Sequence, residues 1–408
     1  MGKILSKPQL TSPDIDKKTK YISYLISFQL LGSSIGAILR YLSFRFFNNS
    51  NIGTYIYVIS MSLALGMYLI KYPINRTSKK CLRNTICFLL LIAVSYCFFS
   101  TSQSYIIDNS QTLLEAAIIG MFCSALISEY TSWDYLFGII RKMLFILTPA
   151  LLIVYILAGF AYFGAMSWGI RITPLCLIYY YVVRSYKTSI IEKIFFAISV
   201  VLSLFGGRQS LIIVFGTILL CELYFLFVEP ITYKKTIKIL FMIVFFVVFI
   251  IEFNAVIQFI SNIIEKMGFH SRSITMLLNE QLFDDSNRGG IYKICWEYIE
   301  KSGASISGLY TDRYYLATQG FDGYFAHNFV LELLMDFGTV VGTFLVLSII
   351  ISTLIGIVQA KQELKPFTIV MIAIGIGRYF VSGTIISSSA FWVCLGYLSN
   401  RNIRKGII

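Results

Sequence analysis

Charge and histidine are what this chain has least of. Asp, Glu, Lys and Arg together make up 13% of its 408 residues, and only two histidines occur, His270 and His327. Soluble domains carry about 25% charged residues, so a string of soluble domains is excluded. Cysteine is present, with eight residues, but not as a framework. Seven lie in apolar stretches or basic loops, and Cys295 stands alone in the largest polar segment. With no CxxC and no Cys/His cluster, a structural zinc is not expected, and no metal ligands or cofactor are assigned. There is no internal repeat and no low-complexity tract. The first twenty residues are polar and basic, so a cleavable signal peptide is not expected.

Hydrocarbon is what is there. Hydrophobic residues make up 57% of the chain, at a mean hydropathy of +0.75. Apolar runs of about 20 residues match the thickness of a bilayer, and a helix satisfies its own backbone hydrogen bonds there. The pattern predicts an all-α polytopic membrane protein with about 12 transmembrane helices and one large periplasmic loop. The spans centre near Leu31, Ser62, Leu91, Met121, Leu151, Ile178, Ile198, Leu219, Phe246, Val341, Ile372 and Trp392. Those near Ile178 and Ile198 are short, and the last two share a small Ser/Gly-rich turn.

Basic residues orient these spans. With the N-terminus in the cytoplasm, 23 of the 34 Lys and Arg residues fall on the inner loops and termini, as the positive-inside rule requires. The formal charge of +13 is therefore largely a topology signal and needs no nucleic-acid partner. The division that follows is an N-terminal transmembrane bundle over 1–260, a periplasmic loop over 261–326, and C-terminal transmembrane helices over 327–408. Eleven basic residues lie outside or within the membrane: Arg40, Arg45, Arg171, Arg208, Lys266, Arg272, Arg288, Lys293, Lys301, Arg313 and Arg378. All but the first two fall from Arg171 onward, so the unusual positive charge belongs to the later part of the chain.

The outer loop has its own pattern. Ile291, Ile294, Cys295, Tyr298 and Ile299 fall at helical spacing, with Lys293, Glu297 and Glu300 on the other side. Ser286 or Asn287 is a candidate cap for that helix. Arg288, at its start, adds a guanidinium to a helix N-terminus, an arrangement that attracts anions. Arg208 follows Gly206-Gly207 at the mouth of a span, where it can grip phosphate bidentately or simply snorkel to the interface.

His327 opens the span near Val341. Its ordinary pKa, about 6.5, suits a base at neutral pH. Asn328, Glu332 and Asp336 follow at every fourth position, a polar stripe that must face protein or water. Arg378 is its candidate partner. Arg171, Arg272 and Arg313 are further candidates for binding phosphate or sugar, and His270 reads as a loop residue.

Gly206-Gly207-Arg208, Arg288-Gly289, Gly308 and then His327-Asn328 through Glu332 to Gly338 resemble, in this order, the O-antigen polymerase and O-antigen ligase family. The motifs cover roughly Arg171 to Leu347; the span count and the large outer loop extend the likeness to the whole chain. The resemblance implies a type C glycosyltransferase-like fold acting on polyprenyl-diphosphate-linked glycans. It implies catalysis by His327 and diphosphate binding by Arg208 and Arg288. Arg171, Arg272, Arg313, Asn328, Glu332 and Arg378 join them as substrate-binding candidates. A Gly-Asn-Pro element after Arg171, which some ligases show, is missing, and the balance tips toward a Wzy-type polymerase.

Such an enzyme transfers a growing glycan from undecaprenyl diphosphate to the next lipid-linked repeat unit. Arginines can stabilise the diphosphate without metal. The expected location is a bacterial inner membrane, with both termini cytoplasmic, the active site periplasmic, and a chain-length regulator and a flippase as neighbours. The alternatives are an O-antigen ligase, with lipid A core as acceptor, and a lipid or polysaccharide transporter. A transporter would place charges at the midplane and show inverted repeats; here the charges gather at one face.

Overall fold

The computed structural model describes residues 16–72, 76–228, 288–380 and 383–404, with scattered single positions between 233 and 278. Among the described residues no strand forms, and the one ladder contact is an antiparallel bridge between Ala360 and Arg404. The protein is a multi-pass helical membrane protein. Six helices are by themselves long and apolar enough to cross a bilayer: Asn51–Lys71, Arg76–Phe98, Ser110–Ser128, Trp133–Ala158, Gln209–Val228 and Phe329–Gln359. At 1.5 Å per residue, the 21 residues of Asn51–Lys71 extend about 31 Å, close to the hydrocarbon thickness.

The structure refines several of the expected spans. The one centred on Leu31 is a bent pair, Lys17–Leu30 and Gly32–Phe47, meeting at 68° on the buried Leu31. Asp16, in the sequence Asp14-Ile15-Asp16, serves as N-cap of the first, accepting the Thr19 N–H at 2.6 Å. The helices at Ile178 and Ile198 are Ala165–Ser185 and Ile190–Leu204. Those at Ile372 and Trp392 are only Lys365–Gly375 and Ser389–Leu398, each about half a bilayer in length. The span at Phe246 lies outside the described residues.

Compactness divides the chain into two units on different lines from the topological segments: residues 141–284 with 1–10, and residues 11–140 with 285–408. In the first unit, Trp168 donates its indole N–H to the Leu202 carbonyl at 2.9 Å and packs on Tyr155, which also meets Phe205. Arg141 grips the buried Glu192 with its Nε and Nη2, and Glu192 in turn completes a capping box with Ser189. In the second unit, Trp133 packs on Phe137, Phe367 and Tyr397. Asn400 donates to the Ile127 and Tyr130 carbonyls at 2.7 and 2.8 Å, and Lys361 N–H donates to the Ile403 carbonyl. The two half-length helices thus begin and end side by side.

The long helix Phe329–Gln359 is not one rod. Gly338 sits at φ +72 and ψ 169, a conformation that breaks the helix and that only glycine adopts cheaply. Beyond it the chain turns back so sharply that a Cβ on Gly342 would lie 2.6 Å from the Leu333 carbonyl oxygen, nine residues earlier. The apolar run that can cross the membrane is therefore the part after Gly338, and Phe329–Phe337 is a separate two-turn segment. Gly338→Ala would place a methyl 2.6 Å from the carbonyl oxygens of Ala304 and Ser305. It is expected to cost about 2–4 kcal/mol, from left-handed strain plus the clash. Gly66→Ala, in open space within a helix, is expected to change stability by less than about 1 kcal/mol. Thermal unfolding of the two purified variants checks both.

Candidate functional site

The loop before the break folds around it. The Asp336 carbonyl accepts the N–H groups of Ser307 and Gly308, both at 3.0 Å. Its carboxylate accepts those of Tyr310 and Thr311, at 3.2 and 2.9 Å. Asp336 so caps the helix Thr311–Thr318 from outside, where Tyr310 at φ +64 supplies no side-chain cap of its own. Thr339 N–H closes the turn onto the Gly303 carbonyl at 2.9 Å.

Two further buried carboxylates do the same work. Asp312 accepts the Ala326 N–H at 2.9 Å, and Glu332 accepts the Ile385 N–H at 3.0 Å and the Thr384 hydroxyl. All three acids are nearly inaccessible to solvent. Asp312 Oδ1 has no hydrogen-bond partner among the described residues. Burial pushes the Asp312 carboxyl above the usual range, against the pull of neighbouring Arg313. Each acid stitches the backbone of one polar segment to another.

His327 stands between two of these stitches. The Asp312–Ala326 bond fixes the chain just before it. Asn328 fixes the chain just after, as N-cap to Phe329–Gln359, its side chain accepting Val330 N–H at 2.9 Å. Between them His327 takes φ +55, a strained conformation for a residue with a Cβ. Its ring is half-buried and packs on Phe325 at 3.9 Å between centroids. Burial, with the charge of Arg288 added, lowers its pKa to about 4, so the imidazole is neutral at pH 7.

Arg288 opens the helix Arg288–Ser302, as the apolar spacing predicts. Ile291, Cys295 and Ile299 form its buried face, packing with Leu316, Ala326, Leu331, Leu334 and Met335. The candidate caps Ser286 and Asn287 lie outside the described residues, as do Arg272 and His270. Arg313 lies over the Tyr310 ring at 4.6 Å and the Phe325 ring at 5.8 Å. Phe325 thereby lies against both Arg313 and His327, and the charge of Arg288 is felt at the imidazole.

Other expectations change. Asn328 is a cap rather than part of a helical stripe. Glu332 and Asp336 do face protein, but backbone N–H groups and Thr384 hold them, not Arg378. Arg378 lies on a short 3-10 turn, Gly377–Phe380, over the Tyr379 ring at 4.8 Å.

In the unit of residues 141–284, Arg171 and Arg208 stand on neighbouring helices. A Cβ on Gly169 would lie 3.2 Å from the Gly207 nitrogen, and one on Gly206 2.9 Å from the Gly169 Cα. Close backbone approach, not only a turn, is what these glycines serve. Arg208 is the first residue of its helix, and Arg171 accepts support from Ser167, its Nε donating to the hydroxyl at 3.3 Å.

The ion pairs among the described residues are Arg76–Glu129, Lys80–Glu129, Arg141–Glu192 and Arg184–Glu222. All four cations belong to the set that the charge asymmetry puts in the cytoplasm. Neither Arg288 nor Arg313 is in an ion pair among the described residues.

Nothing in the local sequence marks Asn109 or Thr384 as part of this arrangement. Tyr310 and Asp312 had one signal, their place beside Arg313 in the aromatic, polar run from Tyr310 to Tyr324. Comparison with protein-family models, with curated proteins and with solved structures finds no match.

The imidazole has a direct readout. In a His270→Ala variant, the remaining His327 should titrate by NMR with a midpoint near 4. A lowered pKa means that the unfolded chain binds more protons at mildly acid pH. The contribution to stability is therefore complete above about pH 6.5 and lost as pH falls through about 4. A midpoint near 6.5 would place the ring in water.

Proposed function

We propose that this protein is a metal-independent glycosyltransferase of the bacterial inner membrane. It acts as a surface-polysaccharide (O-antigen) polymerase, transferring a growing glycan from undecaprenyl diphosphate to the next lipid-linked repeat unit at the periplasmic face. One observation carries this reading: a neutral, half-buried His327 that shares the Phe325 ring with Arg313 and feels the charge of Arg288, neither arginine being in an ion pair among the described residues. Cations kept from internal ion pairs are suited to an anionic ligand, and a guanidinium fork matches phosphate oxygens.

The chemistry follows from the charges. The acceptor hydroxyl attacks the anomeric carbon, the bond from that carbon to the diphosphate oxygen breaks, and the hydroxyl proton passes to His327. Negative charge develops on the departing diphosphate, where Arg288 and Arg313 stabilise it. In the free protein the charge of Arg288 disfavours protonation of His327. A bound diphosphate offsets that charge and raises the proton affinity of the imidazole, so the base strengthens when substrate is present. The family resemblance implies diphosphate binding by Arg208 as well, and Arg171 is a further candidate.

His327→Ala is expected to lower turnover of lipid-linked repeat units roughly 10²–10⁴-fold, the usual worth of acid–base catalysis, while binding survives better. His270→Ala should be nearly silent. Normal turnover by purified His327→Ala removes the base from the scheme. In cells, a deletion strain that carries one repeat unit on its lipopolysaccharide core indicates a polymerase. Unattached lipid-linked polymer indicates a ligase.

The topology has its own test. Reporter fusions at Lys80 and Ser302 are expected on opposite sides of the membrane, and both on one side overturns the periplasmic site.

A further inference from the structure

Arg313 is aimed by a residue two hundred positions away. Its Nη1 donates to Asn109 Oδ1 at 2.9 Å. Asn109 sits at the joint between the helices Ser100–Asp108 and Ser110–Ser128, and its Nδ2 donates to the Tyr105 carbonyl at 2.8 Å. These two bonds use both ends of the amide, so the carbonyl end must face the guanidinium. Tyr105 closes the link by donating its hydroxyl to the Arg313 carbonyl at 3.5 Å. Tyr310 and Phe325 hold the plane of the guanidinium through its face. Nε is enclosed without an acceptor, and Nη2 makes no hydrogen bond among the described residues.

The choice of amide matters. An aspartate here would hold the guanidinium equally well, but it would give Arg313 the ion pair that it does not make among the described residues. We infer that Asn109 is a positioning residue: it orients Arg313 through a neutral acceptor and puts no carboxylate on the guanidinium to compete with a diphosphate ligand. This rests on the anionic substrate proposed above. Asn109 need not touch that substrate; it acts through Arg313.

The test uses the purified full-length chain in detergent and undecaprenyl diphosphate as the probe. Asn109→Ala loses both hydrogen bonds without adding charge, and its Kd is expected to rise roughly five- to tenfold. Asn109→Asp loses the same bond to Tyr105 but adds a carboxylate that competes with the ligand, and its Kd is expected to rise roughly tenfold further. In turnover of lipid-linked repeat units kcat should fall as well as affinity, because the charge that Arg313 meets grows as the diphosphate departs. A double-mutant cycle supplies the second measurement: in an Arg313→Ala background, Asn109→Ala should change affinity by less than about twofold. Equal affinities of the Asp and Ala variants, or an undiminished effect of Asn109→Ala without Arg313, overturns the assignment. If the wild-type chain does not bind undecaprenyl diphosphate, the functional reading fails first, and this inference falls with it.

Discussion

The polar end of this protein depends on buried carboxylates holding backbone. A carboxylate removed from water must be given hydrogen-bond donors or a proton. Asp336, Asp312 and Glu332 find their donors in N–H groups of Tyr310, Thr311, Ala326 and Ile385. The same bonds relieve loops that could not otherwise lie inside a membrane protein, where every unsatisfied backbone group is costly. Gly338 makes the arrangement reachable. Its positive φ turns the chain so that Asp336 can offer both its carbonyl and its carboxylate to the loop in front of it.

Strain at His327 is a consequence of that scaffold. Asp312 fixes one neighbour and the Asn328 cap fixes the other, so the residue between takes a left-handed backbone. A strained conformation persists only where its surroundings over-determine it. Here the surroundings are two hydrogen bonds to adjacent residues and an aromatic contact with Phe325. The result holds an imidazole in a fixed place, half out of water and beside a positive charge.

Electrostatics divides the described cations into two kinds. Arg76, Lys80, Arg141 and Arg184 meet carboxylates and tie helices together. Arg313 instead meets an amide and two aromatic faces, which orient a guanidinium without spending its charge.

Hydropathy by itself determined that the chain is helical and crosses a membrane repeatedly, because a bilayer admits few other answers to a run of apolar residues. Local spacing also determined the helix that begins at Arg288 and buries Ile291, Cys295 and Ile299, since periodicity of 3.6 is a property of sequence alone. The same local rules placed Arg208 at a helix start after two glycines and showed that Glu332 and Asp336 must face protein or water. They could not find the break at Gly338, because apolar residues continue on both sides of it and a glycine within a helix is common. They could not supply partners either. Asn109 lies 204 residues from Arg313, and Thr384 lies 52 from Glu332. Contacts of that separation are set by how helices pack, and only the tertiary structure decided them.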